Sequence, residues 1–442
     1  MDLKSKLRAI VQPPRRSDGS GGLRELTYEP DTGGYEAGSS IDRLCEQLGA
    51  RPARNAFGQC LVIDRRYESD RWHGDVKIGE CELEDLSGLG LLEPALSGFR
   101  PQSGRTVFID LETTGLSGGA GTLAFLVGCG YYDLGAFQVR QFLLTSHSAE
   151  RALLTAVAEF FDDADLIVTY NGKTFDVPVM ETRWLFHRMA MPLDGVPHFD
   201  ALHTARRLWK ARVVDPSDGG CRLSTLERTL FDVRRVGDVG GFEIPSRFFH
   251  FMRTGDARPL EPVLEHNRLD LVSLAAVTAR AVRLVTDGAE GCPDEQQALA
   301  LGRIYERAGL LDQAQACYHR ASQASSLEVQ TEALYRLALR YRRQRRYAEA
   351  ASCWRALVDR TERRSARRNR VAASVRQFAL EALAIYHEHR EGDLTTAREL
   401  ALFALGEERE EIDGRRADRY RHRLTRLDRK LAKKENAQLF PS

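Results

Sequence analysis

Two acidic residues on one apolar segment are the first candidates for chemistry in this sequence. Asp110 and Glu112 lie at the end of the apolar run at 107–109, and the period of two along a strand places both carboxylates on one face. Two negative charges held so close are unfavourable unless a cation compensates them, and oxygen ligands suit Mg²⁺ or Mn²⁺. The pair therefore predicts a metal site, with a capped turn at residues 113–115 as the plain alternative.

The segment NGKTFD at 171–176 adds a third carboxylate. It follows the apolar run at 166–169, which predicts a buried strand, and it opens a helix, so Asp176 falls in the first helical turn. An acid there also stabilises the helix macrodipole without any catalytic role, and Asn171 suits a simple turn. The segment alone leaves both a metal ligand and a plain helix start open.

A histidine and an aspartate on one helix face form the third candidate. His266 and Asp270 are four positions apart in a segment whose pattern predicts a helix, so they lie on the same face. A solvated polar face or a structural His–Asp pair explains these two residues equally well. The apolar residues of the same segment predict that the helix buries another stripe.

Strand and helix signals alternate around these residues and predict how they are positioned. We predict strands at 107–109, 123–127, 137–144, 166–169 and near Phe199, and helices from Ser148 to Phe161, from Phe175 to Met189, after Asp200, and from Pro262 to Val285. Three meandering strands, a helix and then strand–helix units predict a mixed α/β sheet of the RNase H-like type, flanked by helices.

Residues 293–405 change to a helix-rich composition with an internal repeat. Five positions have counterparts 36 positions later in the chain, a period close to the roughly 34 of tetratricopeptide repeats. The matched residues are Tyr305, Gly309, Ala314, Tyr318 and Ala321 with Tyr341, Arg345, Ala350, Trp354 and Leu357. A third, looser copy that begins with Tyr386 has extra residues in its turn. The pattern predicts an all-α tetratricopeptide-like region, followed by a basic helix at 415–434.

The order of the three acidic segments resembles the DEDD exonuclease superfamily, whose domain is RNase H-like. DLETTGL at 110–116 resembles its first motif, NGKTFD at 171–176 its second motif as found in family-B DNA polymerase proofreading domains, and HNRLD at 266–270 its third. Within the superfamily the chain resembles the YprB-type proteins through FIDLETTGLSGGAGTLAFLVG, HFDALHTARRLWK and CRLSTLE, over about residues 100–285.

This resemblance implies the roles of the acidic residues and of one histidine. It implies two divalent ions, Mg²⁺ or Mn²⁺, as cofactors. The implied metal ligands are Asp110, Glu112, Asp176 and Asp270. In the superfamily the third motif has a helper, either a tyrosine four positions before the last aspartate or a histidine five before it. His266 occupies the first of these places and Glu265 the second, and we predict that His266, or a water it orients, accepts the proton.

Substrate contacts are predicted around the same motifs and on one basic helix. The glycine-rich stretch after the first strand lacks the GKS/T of a phosphate-binding loop and predicts either a tight turn or an approach to a terminal nucleotide. Arginines after Asp200 predict either phosphate contacts or a solvated helix face. The predicted substrate-binding residues are Thr113, Gly115, Leu116, Asn171, Phe175, Arg206 and Arg207.

Composition and spacing predict five regions and exclude some classes of protein. The net charge of +1 excludes a strongly basic field over the whole protein, and no stretch approaches a membrane span. Eight cysteines without a CxxC pair predict reduced thiols in a cytoplasmic protein. We predict a mobile segment at 1–40, a β-containing lead-in at 41–100, an RNase H-like domain at 101–287, helical repeats at 293–408 and a basic helix and tail at 409–442.

The function predicted from these features is metal-dependent 3′→5′ exonuclease activity on single-stranded or frayed nucleic acid. Polarity and exonuclease mode come only from the resemblance. A structure-selective endonuclease is the second hypothesis, since RNase H-like folds support both modes. The third is a scaffold that binds nucleic acid or protein without cleavage. The predicted partners are DNA or RNA and, through the repeats, another protein.

Overall fold

Seven stretches of the chain are described by the structure, which is a computed structural model. They are residues 37–83, 85–102, 104–115, 121–211, 221–361, 370–408 and 414–439. The chain divides into two units, Met1–Arg43 and Leu44–Ser442. The predicted mobile segment at 1–40 lies outside the described residues except for its last four positions.

A seven-stranded mixed sheet is the centre of the larger unit, with strand order β1-β2-β7-β6-β5-β8-β9. The strands are β1 (Arg51–Asn55), β2 (Gly58–Glu68), β5 (Arg105–Thr113), β6 (Ala124–Asp133), β7 (Ala136–Leu143), β8 (Ala164–Thr169) and β9 (His198–Asp200), with β3 (Trp72–His73) and β4 (Val76–Lys77) as a separate hairpin. Strands β1, β2, β7, β6 and β5 pair antiparallel in that order, and β8 and β9 continue the sheet parallel to β5. The predicted meander and mixed sheet are confirmed.

The predicted lead-in contributes two strands to this same sheet. Strand β2 pairs with β7 from Leu61↔Leu143 to Glu68↔Ala136, and β1 forms the sheet edge beside it. Its apolar run at 60–63 is almost fully buried. The sheet core therefore begins before residue 100, although the domain boundary drawn there stays a prediction.

Helices cover the sheet and then form the rest of the chain. They are α1 (Ala37–Leu48), α2 (Leu89–Leu92), α3 (Glu150–Phe161), α4 (Asp176–Phe186), α5 (Ala201–Leu208), α6 (Leu223–Phe231), α7 (Ile244–Thr254), α8 (Glu261–Asp287), α9 (Glu295–Arg307), α10 (Leu311–Ala321), α11 (Leu327–Arg343), α12 (Tyr347–Arg360), α13 (Arg370–Tyr386), α14 (Leu394–Glu408) and α15 (Gly414–Leu439). Short 3₁₀ turns lie at Ile78–Cys81, Pro94–Leu96, His147–Ala149 and Arg258–Leu260.

Of two predicted helix caps, one is confirmed and the other is wrong. Asp200 caps α5 as predicted, because its side chain accepts a hydrogen bond from the Leu202 N–H at 3.0 Å. The predicted Ser148 cap of α3 is wrong: Ser148 belongs to the 3₁₀ turn before the helix, and its hydroxyl lies 3.0 Å from that of Ser146 instead. The turn delays the helix start to Glu150.

Helix α8 packs across β5, β6 and β7 and is buried on most of its surface. Pro262 occupies its first turn, where the missing N–H costs no hydrogen bond, and Gly288 ends it with φ +70°. Small residues such as Ala275, Ala276 and Ala279 let neighbouring elements approach on several sides. The helix is thus a central element that carries His266 and Asp270 under the sheet.

Three antiparallel helix pairs follow α8, and α15 packs on α14. The pairs are α9 with α10, α11 with α12, and α13 with α14. One continuous apolar core runs from sheet residues such as Phe108 through Val285 of α8 to Tyr318 and Tyr341 of the pairs. A helical C-terminal region is confirmed, and its tetratricopeptide class stays a prediction.

Within the described residues, every helix is too short or too polar to cross a membrane.

Candidate active site

Strand β5 carries the first two acids to a point where it has no neighbour on one side. Its parallel pairing with β8 ends at Phe108↔Val168, two residues before Asp110. On the other side Asp110 pairs with Gly128 of β6, and the register shifts between Glu112 and Thr113. Such irregularities re-aim side chains at the end of a strand. A crevice therefore opens beyond the carboxyl end of β8, as is usual in α/β sheets.

The connection from β8 to α4 brings Asp176 to the same crevice. Asn171 adopts φ +67°, a left-handed conformation that asparagine tolerates, and its amide oxygen accepts from Thr174 at 2.7 Å. The buried Asp200 carboxylate accepts from the backbone N–H groups of Asn171 at 2.9 Å and Lys173 at 3.1 Å. Asp200 thus fixes the loop that places Asp176 at the first position of α4.

An amide relay connects Asp110 to the helix and to a third strand. Asn267 of α8 donates to Asp110 Oδ2 at 2.7 Å and to the Asp110 carbonyl oxygen at 3.1 Å. Gln141 of β7 in turn donates to Asn267 Oδ1 at 2.7 Å and to the Leu264 carbonyl at 2.9 Å. Both amide side chains are fully buried. The relay fixes the position of the helix that carries Asp270 relative to Asp110.

The approach of Asn267 to Asp110 requires a glycine in the strand between them. A Cβ at Gly128 would lie 2.2 Å from Asn267 Oδ1, a distance that real atoms do not adopt. Because Gly128 is the register partner of Asp110, any side chain there would displace the Asn267 amide from Asp110.

Asp270 is held by an arginine that lies outside the three motifs. Arg235 Nη2 donates to Asp270 Oδ1 at 2.5 Å, and the same guanidinium binds Glu227 with both Nε (2.7 Å) and Nη2 (2.8 Å). The side chains of Arg235 and Glu227 are only 6% and 2% exposed. A buried, bidentate pair of this kind has fixed geometry. Arg235 thus leaves Asp270 Oδ2 directed elsewhere.

The buried network continues behind Glu227. The Ser273 hydroxyl donates to Glu227, and His73 Nε2 lies 2.8 Å from the same hydroxyl. The hairpin of β3 and β4, helix α6 and helix α8 are therefore joined through side chains that support Asp270.

His266 is oriented by a second carboxylate that also lies outside the motifs. Its Nδ1 lies 2.7 Å from Asp238 Oδ1, and its Nε2 faces Asp270 Oδ2 at 3.4 Å. Burial lowers the pKa of His266, but the charges of Asp270 and Asp238 outweigh it and raise that pKa above its usual value, so the ring is a stronger base than a free histidine. The one-position departure from the superfamily's histidine thus still leaves the ring beside the acids.

The four acids interact electrostatically. Burial raises the pKa of Asp110 well above its usual value, and the charges of Asp270 and Asp176 raise it further. Burial and the Asp110 charge raise the pKa of Glu112 in the same way. Burial and Asp200 raise the pKa of Asp176 to about 7. Carboxylates that destabilise one another's charged forms in this way would be stabilised by a cation bound near them.

The four carboxylates are the type of ligand that a divalent ion prefers, but they are not arranged to coordinate one as they stand. Within the described ranges, no three His, Cys, Asp or Glu side chains are arranged to hold a metal ion as they stand. Two of the four carboxylates make other bonds, Asp110 to Asn267 and Asp270 to Arg235. Each keeps a second oxygen, and carboxylate oxygens are the ligands of Mg²⁺ and Mn²⁺. The residues fit these ions in chemistry, and the site itself stays a prediction.

The predicted substrate-binding residues have different environments. Thr113 is buried and donates to the Gly115 carbonyl at 2.8 Å, Phe175 is half-buried, and Asn171 is exposed. Leu116 lies outside the described residues.

The two predicted substrate-binding arginines, both on α5, also differ in their environments. Arg206 is exposed on α5. The Arg207 guanidinium donates to the Leu92 carbonyl and to Thr204 Oγ1, so it is engaged within the fold rather than presented to phosphate.

Several supporting residues were missed by the motif-based prediction, among them Glu227, Asn267, Arg235 and Asp238. Glu227 lies within the quoted stretch CRLSTLE and Asn267 within HNRLD, so both stood in motifs without an assigned role. Arg235 and Asp238 lie in RRVGD, which has no periodic signal. The one signal in the sequence for Arg235 and Asp238 was that polar residues follow the end of a helix without forming a turn motif.

The fold defines the class of protein to which this chain belongs. Residues 107–282 match the family model described as RNase_H superfamily, and this segment contains most of β5, all of β6 to β9 and most of α8. The chain is therefore RNase H-like, which indicates a nuclease-type activity. RNase H-like nucleases generally use divalent metal ions.

A relative that is similar over most of its length shows the family within this class. The protein YprB of Bacillus subtilis (strain 168) is 31% identical over 394 residues, which cover 88% of this chain and 90% of YprB. This chain belongs to the family of YprB-type RNase H-like proteins, as the motifs predicted. A family B DNA polymerase from Pyrobaculum calidifontis is 16% identical with a TM-score of 0.32, over 55% of this chain and 30% of the polymerase. That similarity is too low to support an inference.

Proposed function

We propose that this protein is a metal-dependent nuclease that removes nucleotides from the 3′ end of single-stranded or frayed nucleic acid. The observation that supports the proposal most directly is that Asp110 and Glu112 are buried beside other acids: burial raises the pKa of both, and the charges of Asp270 and Asp176 raise it further. Acids are buried together at a cost, and that cost is relieved where divalent cations bind.

The proposed cofactors are two Mg²⁺ or Mn²⁺ ions, with Asp110, Glu112, Asp176 and Asp270 as ligands. When bound, such ions polarise the phosphate and lower the pKa of an attacking water. The chain's own work is positioning: Asn267 holds Asp110, and Arg235 holds Asp270.

The proposed general base is His266. Asp238 fixes the ring through Nδ1, so Nε2 accepts the proton of the attacking water while Asp238 stabilises the charged ring. Thr113, Gly115, Leu116, Asn171 and Phe175 are proposed to contact the terminal nucleotide, and Arg206 a phosphate. Residues 101–287 are proposed as the catalytic domain and 293–408 as a tetratricopeptide-like region.

Cleavage of labelled oligonucleotides tests the proposal. Single-stranded DNA and RNA carrying a 5′ label would be incubated with Mg²⁺, Mn²⁺ or EDTA. Wild type, Asp110→Ala and Asp418→Asn would be compared, since Asp418 is an exposed acid on α15 and serves as the matched control. We expect stepwise shortening from the 3′ end that needs metal, is lost in Asp110→Ala and is unchanged in Asp418→Asn.

Two other outcomes would contradict this proposal in different ways. Internal cuts in an oligonucleotide whose 3′ end is blocked would assign the endonuclease alternative. Retained binding without cleavage of any substrate under all metal conditions would assign the scaffold alternative.

A further inference from the structure

A pocket of about 290 Å³ lies among the helix pairs, at the ends of α11, α12 and α13. Its floor is apolar and includes Ala351, Trp354 and the half-exposed Ile385. Its rim includes Arg342, His389 and Arg390. We name it the basic-rimmed pocket, and no part of it belongs to the candidate active site.

The rim is made by the turn in which the third repeat copy has extra residues. There α13 continues as a π-helical turn, His387–Glu391, which ends at Gly392 with φ +69°. The turn places the Arg390 guanidinium over the Tyr347 ring, 3.8 Å from its centroid. Single π-helical turns of this kind are frequent at functional sites.

A buried carboxylate fixes this turn in place. Glu388 is fully buried, and it accepts hydrogen bonds from Arg423 (3.0 Å), Arg426 (2.6 Å) and Lys430 (2.7 Å) of α15. Three cations on one carboxylate also leave an excess of positive charge beside the rim. The rim is therefore held by a dedicated contact rather than by solvent-exposed residues alone.

The charges around the pocket are unbalanced. No carboxylate lines it among the described residues. Two neighbouring acids already have partners: Glu349 pairs with Arg346 at 2.9 Å, and Glu391 accepts from the hydroxyl of Tyr386, which lines the pocket. In the described part of the chain, Arg342 and Arg390 form no ion pair, and both are exposed. An apolar floor with a cationic rim is complementary to an apolar side chain flanked by carboxylates.

We propose that the basic-rimmed pocket binds an acidic segment of another protein, with one apolar side chain on the floor and its carboxylates on Arg342 and Arg390. Nucleic acid fits less well. Bases bind single-strand sites by stacking on free aromatic faces, whereas Trp354 is 2% exposed and the Tyr347 ring is covered by Arg390. The proposal is independent of the nuclease function.

Fluorescence anisotropy with defined peptides tests the proposal on the full chain. The probes are short labelled peptides with a central leucine or phenylalanine between aspartates and glutamates, and matched peptides with asparagines and glutamines. The variants are the double substitution Arg342→Gln/Arg390→Gln, Ala382→Leu, which fills the pocket, and Arg429→Gln on an exposed arginine of α15 as control. Thermal unfolding verifies that each variant is folded.

We expect wild type to bind the acidic peptides about tenfold or more tightly than the neutral ones. The double variant should lose that preference, Ala382→Leu should weaken binding of both sets, and Arg429→Gln should bind like wild type. Asp110→Ala should also bind like wild type, so failure of the nuclease proposal leaves this result unaffected.

The proposal is overturned if wild type binds neither acidic peptide, or if the double variant binds them as tightly as wild type. Displacement of the peptide by an oligothymidylate of equal charge, at equal concentration, would instead assign the pocket to nucleic acid.

Discussion

At the scale of single residues, the acids are held by neutral amides and by one arginine. Asn267 and Gln141 connect Asp110 to a helix and to a second strand, and Arg235 connects Asp270 to Glu227. Each of these supporting side chains is buried, so a substitution of one of them would displace an acidic residue that is itself unchanged. Small displacements of catalytic groups are costly, about a hundredfold in rate for roughly 1 Å.

Gly128→Ala is expected to impair catalysis while the fold remains. The new methyl group would lie 2.2 Å from Asn267 Oδ1, so Asn267 must move away from Asp110. We expect kcat to fall about a hundredfold with a small change in KM. Gly241→Ala is the control, because a Cβ there meets no atom within 4 Å. Equal rates for the two variants would contradict the role of the close approach.

The Arg235–Glu227 pair is expected to show strong coupling in stability. Removing one partner leaves the other charge buried, which costs about 3–5 kcal/mol. Urea unfolding would be measured for Arg235→Met, Glu227→Leu and the double variant. The free energy of unfolding lost in the double variant should be much smaller than the sum of the losses in the two single variants. Losses that add within about 0.5 kcal/mol would mean that the two side chains act independently.

Stability should fall in mild acid because of His73. Burial, and then the charges of Arg235 and Arg71, lower the pKa of His73 from 6.5 to about 4. A depressed histidine pKa means that the unfolded chain takes up the proton first, so the stabilisation is present above pH 6.5 and is lost as the pH falls towards 4. We expect His73 to account for about 2 kcal/mol of the loss between pH 7 and pH 5. His73→Gln should remove that part, and an unchanged pH dependence in this variant would refute the assignment.

At the scale of elements, periodicity predicts most of the sheet and fails where support comes from distant segments. The meander and the Asp200 cap depend on local patterns and were predictable. The pairing of β2 with β7 joins segments about 75 residues apart, and no local pattern carries it. Arg235 lies in a loop whose residues have no period, so its contact with Asp270 emerges only from the packing of α6 against α8.

Attachment of α15 is expected to depend on Glu388. Replacing this carboxylate by an amide in Glu388→Gln leaves Arg423, Arg426 and Lys430 with no opposing charge in this buried contact. Hydrogen–deuterium exchange should therefore become faster in α15, whereas exchange in the sheet should stay the same as in wild type. The exposed Glu435→Gln on α15 is the control. Unchanged protection of α15 in Glu388→Gln would show that apolar packing alone holds it.

At the scale of the whole molecule, the sheet and the helix pairs share one core. Apolar contacts continue from Phe108 through Val285 to Tyr318, and the Tyr305 hydroxyl donates to the Val285 carbonyl at 2.9 Å. The regions predicted from composition as separate are therefore joined by packed apolar surface rather than by a linker.

A chain that ends at Gly291 should therefore be folded poorly. It would expose the surfaces of α5 and α2 that α9 contacts, and it would leave the Val285 carbonyl without the Tyr305 hydroxyl. We expect stronger binding of a hydrophobic dye and a lower unfolding temperature than for the full chain. Cooperative unfolding at the temperature of the full chain, without dye binding, would show that the sheet region is self-sufficient.

The burial of α8 on most sides restricts how the length of this chain can vary. One inserted residue rotates everything beyond it by about 100° and advances it by about 1.5 Å. An insertion between Asn267 and Val285 would displace either Asn267 from Asp110 or Val285 from Tyr305, since both residues lie on this one helix. Substitutions can be absorbed there singly, whereas gains and losses of residues cannot. Active descendants of this sequence should therefore differ in length in their loops and keep the spacing along α8.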